Sequence, residues 1–334
     1  MIAKRLEKAG RRGLAGVARH LVPPVSAGAR LPERPEGILV VRPDSRLGNL
    51  VLLEPLLRSL VARFSGTRVA LLASDRFSGL LISQGYEVIE ARKADMASHP
   101  WKFPGFCRRL GREGFDVAID ASHPGGFSLS GAVVTGLSRA PVRIGFDAGD
   151  CRGWYTHLIA PPGYGMHESE ALHALGGLWA GWPGWSRPVL SPPRSGVGRR
   201  AAGLHVGASR GKALPFEKLR DIARIVSSRM PLEIYWGTDE EKTLAEAVSE
   251  AGGRVMPGLP VPDLLVALAG LSVFVTADNG PMHAASALGV PVVALFRIGN
   301  FERYRPLSDG SSVLYDPEGP DPVEAAGRAF AAAR

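Results

Sequence analysis

Beyond Arg30 the chain alternates short apolar, β-branched runs with amphipathic segments, the pattern of parallel sheets built from βαβ units. In the first half, strands are predicted over GILVVRP (37–43), RVALLAS (68–74), YEVIEA (86–91), DVAIDAS (116–122) and VRIGF (142–146). The alternation restarts with AGLHVGAS (202–209), PLEIYWG (231–237), SVFVTAD (272–278) and VPVVALF (290–296). PFEKLRDIARIVSSR, DEEKTLAEAVSEAG, VPDLLVALAGL and GPMHAASALG read as the helices that separate or follow them. Between the halves, SRPVLSPPRSGVGRRAA is rich in Pro, Gly, Ser and Arg and lacks periodicity, which marks a linker. The expected organisation is an extension over 1–30, an N-terminal Rossmann-like domain over 31–187, a linker over 188–201 and a C-terminal domain over 202–334. Two doubly wound α/β halves joined in this way are expected to bind ligands in a cleft at the carboxyl ends of their strands.

Composition narrows the class. The 334 residues are 45% hydrophobic and 22% charged, as in soluble globular proteins. Cys107 and Cys151 are the only cysteines, too few for a disulfide framework, which fits a reducing cytoplasm. A net charge of +8 favours an acidic partner. Its distribution disfavours nucleic acid, because the basic residues are scattered and no aromatic-interleaved or zinc motif accompanies them. The exception is the N-terminal segment MIAKRLEKAGRRGLAGVARHLVPP, which carries Lys4, Arg5, Lys8, Arg11, Arg12 and Arg19 but no apolar run long enough for a signal peptide or a span. On a helix, Ile2, Leu6, Leu14, Val17 and Leu21 share a stripe, so residues 1–24 are expected to lie on anionic lipid. A solvated basic extension has the same pattern.

Three strand ends look equipped for chemistry. TADNGPMHAASALG follows a strand with an Asn-Gly turn, puts Pro281 at a first helical position and so forms a helix start suited to a pyrophosphate. The simpler alternative is that Asp278 or Asn279 caps the helix. HVGASRGKALP puts Ser209, Arg210 and Lys212 in a polar turn; Ala213 after the Lys rules out a Walker A loop. In YWGTDEEK, Glu240 or Glu241 is placed to accept ribose hydroxyls, or to serve as helix N-terminal charge. HESEALH (167–173) has its histidines six apart, where a zinc motif needs four, so His167 and Glu168 read as framework.

In order along the chain, RPDSRLGNLVLLEPLLRSL, RIGFD, HESEALHALG, HVGASRGKALPFEKL, YWGTDEEK and TADNGPMHAASALGVPVVALF resemble glycosyltransferase family 9, the ADP-heptose lipopolysaccharide heptosyltransferases. The resemblance runs over roughly residues 37–300 and implies the α/β GT-B fold, two Rossmann-like domains facing a central cleft. It further implies inverting, metal-independent transfer from a nucleotide sugar, ADP-heptose, to a lipopolysaccharide-type or other glycan acceptor, with no other cofactor, on the cytoplasmic side of the membrane. Within it, Ser209 and Lys212 would face the donor diphosphate and Glu241 the ribose. Asp278 would touch the sugar, while Asn279, Gly280, Pro281, Met282 and His283 would hold phosphate at the helix start. Sugar-nucleotide epimerases share the architecture but need further acidic and His residues that the sequence does not supply.

The turn after ILVV departs from that family at one residue. Gly48 resembles its acceptor-side glycine, but the next residue, usually an Asp that deprotonates the attacking hydroxyl, is Asn49. A carboxamide holds a hydroxyl but does not take its proton at neutral pH. Asp44 supplying the carboxylate, the leaving diphosphate accepting the proton, and a binding protein without turnover are the three accounts this leaves.

Overall fold

A computed structural model describes the chain apart from residues 1–18, 21, 27, 92–97, 99, 164, 195–197 and 210. Most of the segment expected on lipid, 1–24, therefore lies outside the described residues, as does Arg210. The chain forms two compact units, Met1–Ser45 with Leu56–Gly163 and Glu170–Trp185, and Arg46–Pro55 with Tyr164–Ser169 and Ser186–Arg334.

In the first unit β1 (Gly37–Arg42), β2 (Arg68–Ser74), β3 (Glu87–Ala91), β4 (Val117–Asp120), β5 (Val142–Phe146) and β6 (His157–Ile159) form one parallel sheet in the order β3-β2-β1-β4-β5-β6. All six residues of β1 are buried. A strand covered by helices on both faces has no polar side, which is why such strands read as unbroken apolar runs. Helices α1 (Leu47–Arg63), α2 (Ser78–Ile82), α3 (Phe103–Leu110) and α4 (Leu129–Leu137) alternate with the strands, and α5 (Glu168–His173) follows them; α1 up to Pro55 and α5 up to Ser169 are counted with the second unit. Leu39, Val41, Ala70, Leu72 and Ala118 pack with Phe106, Leu110, Trp154 and Tyr155 in the core. Val22 joins that core, and the carbonyl of Pro23 accepts from Arg143 Nη1 at 3.0 Å, so the end of the extension is held by the first unit.

The second unit repeats the plan. Strands β7 (Ala202–His205), β8 (Leu232–Tyr235), β9 (Arg254–Val255), β10 (Val273–Ala277), β11 (Val292–Phe296) and β12 (Ser312–Tyr315) are parallel in the order β12-β11-β10-β7-β8-β9. Their helices are α6 (Phe216–Ser227), α7 (Asp239–Ser249), α8 (Val261–Ala269), α9 (Gly280–Ala287), α10 (Phe301–Tyr304) and α11 (Pro322–Ala332). Leu204, Val275, Val293 and Leu295 pack with Leu219, Ile222 and Val226 of α6 and Ala326 and Ala329 of α11. Counted from its own first strand, each sheet runs third, second, first, fourth, fifth, sixth, the doubly wound order with its switch point between first and fourth strands. These points fall between β1 and β4 and between β7 and β10.

Strand ends differ from the apolar runs in places that matter. AGLHVGAS is a strand only to His205, because the ring Nδ1 of His205 takes the N–H of Gly207 at 3.0 Å and turns the chain out of the sheet. Asp278 lies one residue past β10. The proline-rich stretch packs on the second unit: Leu190 N donates to Ala287 O at 2.8 Å, Val189 N to Glu54 Oε2 at 3.0 Å, and Arg199 N to Gly270 O at 2.7 Å.

Candidate active site

The loops after β7 and β10 meet at the second switch point. Lys212, in a turn closed by its own N–H on Ser209 O at 2.9 Å, places Nζ 2.5 Å from Asp278 Oδ2. Asp278 is buried and Lys212 about a quarter exposed, at 26%. Tyr304, at the end of α10, sets its ring centroid 5.6 Å from the same Nζ. Lys212 is thus held between a carboxylate and an aromatic face, its remaining side open to solvent.

Asn279 is the N-cap of α9. Its Oδ1 accepts from Met282 N at 2.9 Å, and its Nδ2 donates to Gly207 O at 2.7 Å and Thr276 Oγ1 at 2.9 Å. The amide is occupied by tying the helix start to the loop after β7, the capping role anticipated as the simpler alternative. Of the four N–H groups that a helix start leaves unused, Pro281 has none and Met282's is capped, so those of Asn279 and Gly280 are the two that the helix itself does not use. The Met282 side chain is fully buried, whereas Ser209 is exposed.

Two glycines bring a second helix start against the first. A Cβ on Gly48 would lie 2.7 Å from His283 Cδ2 and 3.4 Å from the Gly280 Cα; one on Gly280 would lie 2.9 Å from Leu47 Cβ and 3.2 Å from Gly48 N. Gly48 thereby has a packing role beyond the one its place in the turn implies. Gly48→Ala is expected to destabilise the protein by about 1 to 3 kcal/mol through overpacking, read as an earlier denaturant midpoint. An unchanged midpoint would show that the contact gives way freely. Asn49, half-buried, follows in the first turn of α1 and donates its backbone N–H to Arg46 O at 3.2 Å.

Glu241 folds back over its own helix start: the N-cap Thr238 accepts from Glu241 N through Oγ1 at 3.3 Å, and Glu241 Oε2 accepts from Gly237 N, one residue before the cap, at 2.7 Å. The carboxylate lies over Gly207, where any Cβ would fall on it. Glu240, the other candidate in this turn, is exposed.

Two buried histidines line the same region. His283 Nε2 lies 3.8 Å from Asp278 Oδ1, and His167 pairs with Ser169 Oγ at 2.8 Å and Arg305 O at 3.1 Å. Burial, reinforced by Lys212, pushes His283 down to about 3; burial, with His283 beside it, pushes His167 down to about 4. Both rings are neutral at physiological pH, so the contact with Asp278 is not an ion pair. Glu168, also buried, accepts from Arg303 Nε at 2.6 Å, which agrees with a framework role for this pair of residues. Unfolded histidines titrate near 6.5, so as pH falls below that value the unfolded chain gains protons that the folded rings refuse. Stability present above about 6.5 is expected to fall by up to about 1.4 kcal/mol per pH unit for each ring, down to about 4 for His167 and about 3 for His283. Denaturant titrations at successive pH values test this, and His167→Gln should flatten the slope.

In the first unit, Asp44 Oδ2 is 2.6 Å from Arg42 Nε, and the buried Arg42 also donates to Ala121 O. Asp44 thus belongs to a different compact unit from Gly48 and Asn49 despite its nearness in sequence. At the first switch point sits a group that the motif reading missed. Asp120, closing β4, is buried and accepts from Ser122 N at 2.9 Å and from the Tyr155 hydroxyl at 2.5 Å. Burial pushes its carboxyl up, and burial with Asp120 alongside pushes the Tyr155 phenol up. The available signal was an ionisable residue ending an apolar strand at a switch point. Among the described residues no His, Cys, Asp and Glu side chains gather as a metal ion would require, and no helix is long and apolar enough to cross a membrane.

Residues 190–327 match glycosyltransferase family 9 (heptosyltransferase). No curated protein matches the chain. Among solved structures, the E. coli heptosyltransferase WaaC with ADP is 19% identical over 84% of this chain and 94% of its own, at a TM-score of 0.71. The E. coli ADP-heptose lps heptosyltransferase II is 18% identical over 89% of this chain and 98% of its own, at 0.72. The glycosyl transferase family 9 protein from Veillonella parvula DSM 2008 is 17% identical over 87% and 89%, at 0.71. At these identities the likeness establishes the fold: two parallel six-stranded sheets flanked by helices, of the GT-B kind.

Proposed function

Since the chain carries a glycosyltransferase family 9 domain over residues 190–327 and is a glycosyltransferase, we propose that it moves a heptose from ADP-heptose to a glycolipid or other glycan acceptor, with inversion and without a metal. The observation that carries this reading is the Lys212–Asp278 pair beside the start of α9. A diphosphate brought to this point meets an ammonium with three donors, the N–H groups of Asn279 and Gly280, and the positive end of the helix dipole. Phosphate then takes over the charge that Asp278 neutralises in the unliganded chain. The freed carboxylate accepts a hydroxyl of the sugar, and Glu241 accepts those of the ribose. The heptose and adenine rest on kinship with WaaC, which has been solved with ADP and with ADP-2-deoxy-2-fluoro heptose.

Transfer with inversion needs a hydroxyl to attack from the face opposite the leaving diphosphate and something to take its proton. In this reading Asp44 is the base, its direction fixed by Arg42, Asn49 orients the hydroxyl and Gly48 lets the turn approach. Lys212 stabilises the charge that builds on the diphosphate. A basic segment at residues 1–24 is proposed to keep the enzyme at the cytoplasmic leaflet, where a glycolipid acceptor resides. A binding protein of the same fold is the competing assignment, argued by Asn49 alone.

A thermal-shift series with ADP, UDP, GDP and ADP-heptose tests the donor. A ligand at about a hundred times its Kd stabilises the native state by about 2.7 kcal/mol, so ADP and ADP-heptose should raise the melting temperature and UDP and GDP should not. No shift with any nucleotide would remove the assignment.

A further inference from the structure

A second charged surface lies in the first unit, on α3 and its flanks. Phe106 and Leu110 are buried and hold the helix on the sheet. Its other face is cationic: Lys102, Arg108, Arg109 and, just beyond the helix, Arg112 are exposed. Arg139, also exposed, lays its stem against Gly111, where a Cβ would be 3.0 Å from its Cδ. Among the described residues none of these five cations is in an ion pair. The neighbouring Glu113 is engaged by Arg68 at 2.9 Å. Gly105, Arg108, Arg109, Arg112 and Glu113 line an open concavity of about 460 Å³. Just before the helix Trp101 is 69% exposed, the most exposed of the large hydrophobic side chains among the described residues of this unit.

Arg108, Arg109 and Arg112 bring three like charges to one hollow whose single carboxylate, Glu113, is already paired with Arg68, and their repulsion is relieved by anions. Guanidinium groups bind phosphate through paired N–H groups. An exposed tryptophan ring suits the boundary between headgroup and hydrocarbon. The helix commits its apolar face, Phe106 and Leu110, to the core and so offers a membrane surface only its cations with Trp101 beside them, an electrostatic attachment to anionic headgroups. Single-stranded nucleic acid sites instead interleave several aromatics with the cations, and here there is one.

We infer that α3 with Trp101, Lys102, Arg108, Arg109, Arg112 and Arg139 is a docking surface for an anionic phospholipid bilayer, the arginines seated on headgroup phosphates and Trp101 at the interface. None of these residues is among those assigned to sugar transfer or belongs to residues 1–24, and the inference stands whether or not sugar transfer occurs.

The full-length protein is sedimented with phosphatidylglycerol–phosphatidylethanolamine vesicles and with phosphatidylcholine vesicles at low salt. Binding is expected only to the anionic vesicles and is expected to weaken as salt rises. Replacing Arg108, Arg109 and Arg112 together by Gln should lower the partition coefficient about a hundredfold, since each charge contributes about fivefold. The corresponding triple Lys variant should retain binding, and unchanged melting temperatures confirm that both fold. Vesicles should also shift tryptophan emission to the blue in the wild type and not in Trp101→Phe. Sedimentation of the triple Gln variant equal to wild type would assign attachment to residues 1–24 and overturn the α3 surface. So would a blue shift that persists in Trp101→Phe, or retention of a mixed oligonucleotide that the Gln variant loses while still binding vesicles.

Discussion

Asp44→Asn is expected to lower turnover about 10²- to 10⁴-fold while leaving donor affinity unchanged, the effect of removing a general base from a site that still binds. Asp44 is the carboxylate closest in sequence to the Gly48–Asn49 turn, and its ion pair with the buried Arg42 fixes its direction. The substitution keeps the shape and the hydrogen bond from Arg42 but removes proton acceptance. Asn49→Asp separates the remaining accounts. If Asp44 is the base, a second carboxylate changes the rate little. If the wild type has no turnover, restoring the family's aspartate is the change that would return some. A rate that neither substitution moves more than a few-fold would hand the proton to the leaving diphosphate, and Asp44 would then be a partner for Arg42 and nothing more.

The second large effect is expected from Lys212→Ala, which should cut transfer by about 10² to 10³, the usual consequence of losing one preorganised group that stabilises developing charge. ADP binding should weaken by about 1.5 to 3 kcal/mol, the range for a hydrogen bond to a charged group. The same change also reaches stability, because Asp278 is buried and loses its counter-charge. Leaving such a group unpaired costs about 1 to 3 kcal/mol, so the unliganded variant should melt earlier. Lys212→Ala with Asp278→Asn should recover most of that melting temperature and none of the ADP affinity. Melting curves with and without ADP read both quantities. A Lys212→Ala protein with wild-type ADP affinity would place the diphosphate elsewhere.

The central strands were legible because they are covered on both faces. GILVV and VVALF are unbroken apolar runs, Arg42 entering only at the end of β1, and they agree with β1 and β11 to within two residues. Three strands went unread, β6, β9 and β12, each at the end of its sheet. HLI, RV and SVLY are two to four residues long and half exposed, so neither length nor alternation separates them from loop. At the site, the two loops that hold Lys212 and Asp278 could be picked out from the polar turns ending two strands. What joins them could not. The Asn279 link to Gly207, the Tyr304 ring over Lys212 and the Gly48–Gly280 approach bring together residues up to 232 positions apart. Gly207 looks like any turn glycine until Glu241 is seen over it. Asp120 and Tyr155, 35 residues apart, likewise carry no shared signal in the sequence.

Short and charged sheet edges also govern how copies of the molecule meet when concentrated. A strand recruits another chain by offering a run of unpaired N–H and C=O groups, and β6, β9 and β12 offer too few to set a register. The longest edge, β3, carries Glu87 and Glu90, with Glu87 clamped by Arg68 at 2.5 Å. A second β3 laid alongside would set carboxylates against carboxylates. Crowded copies are thereby kept from growing a common sheet, so close packing of molecules need not become fibrous aggregation.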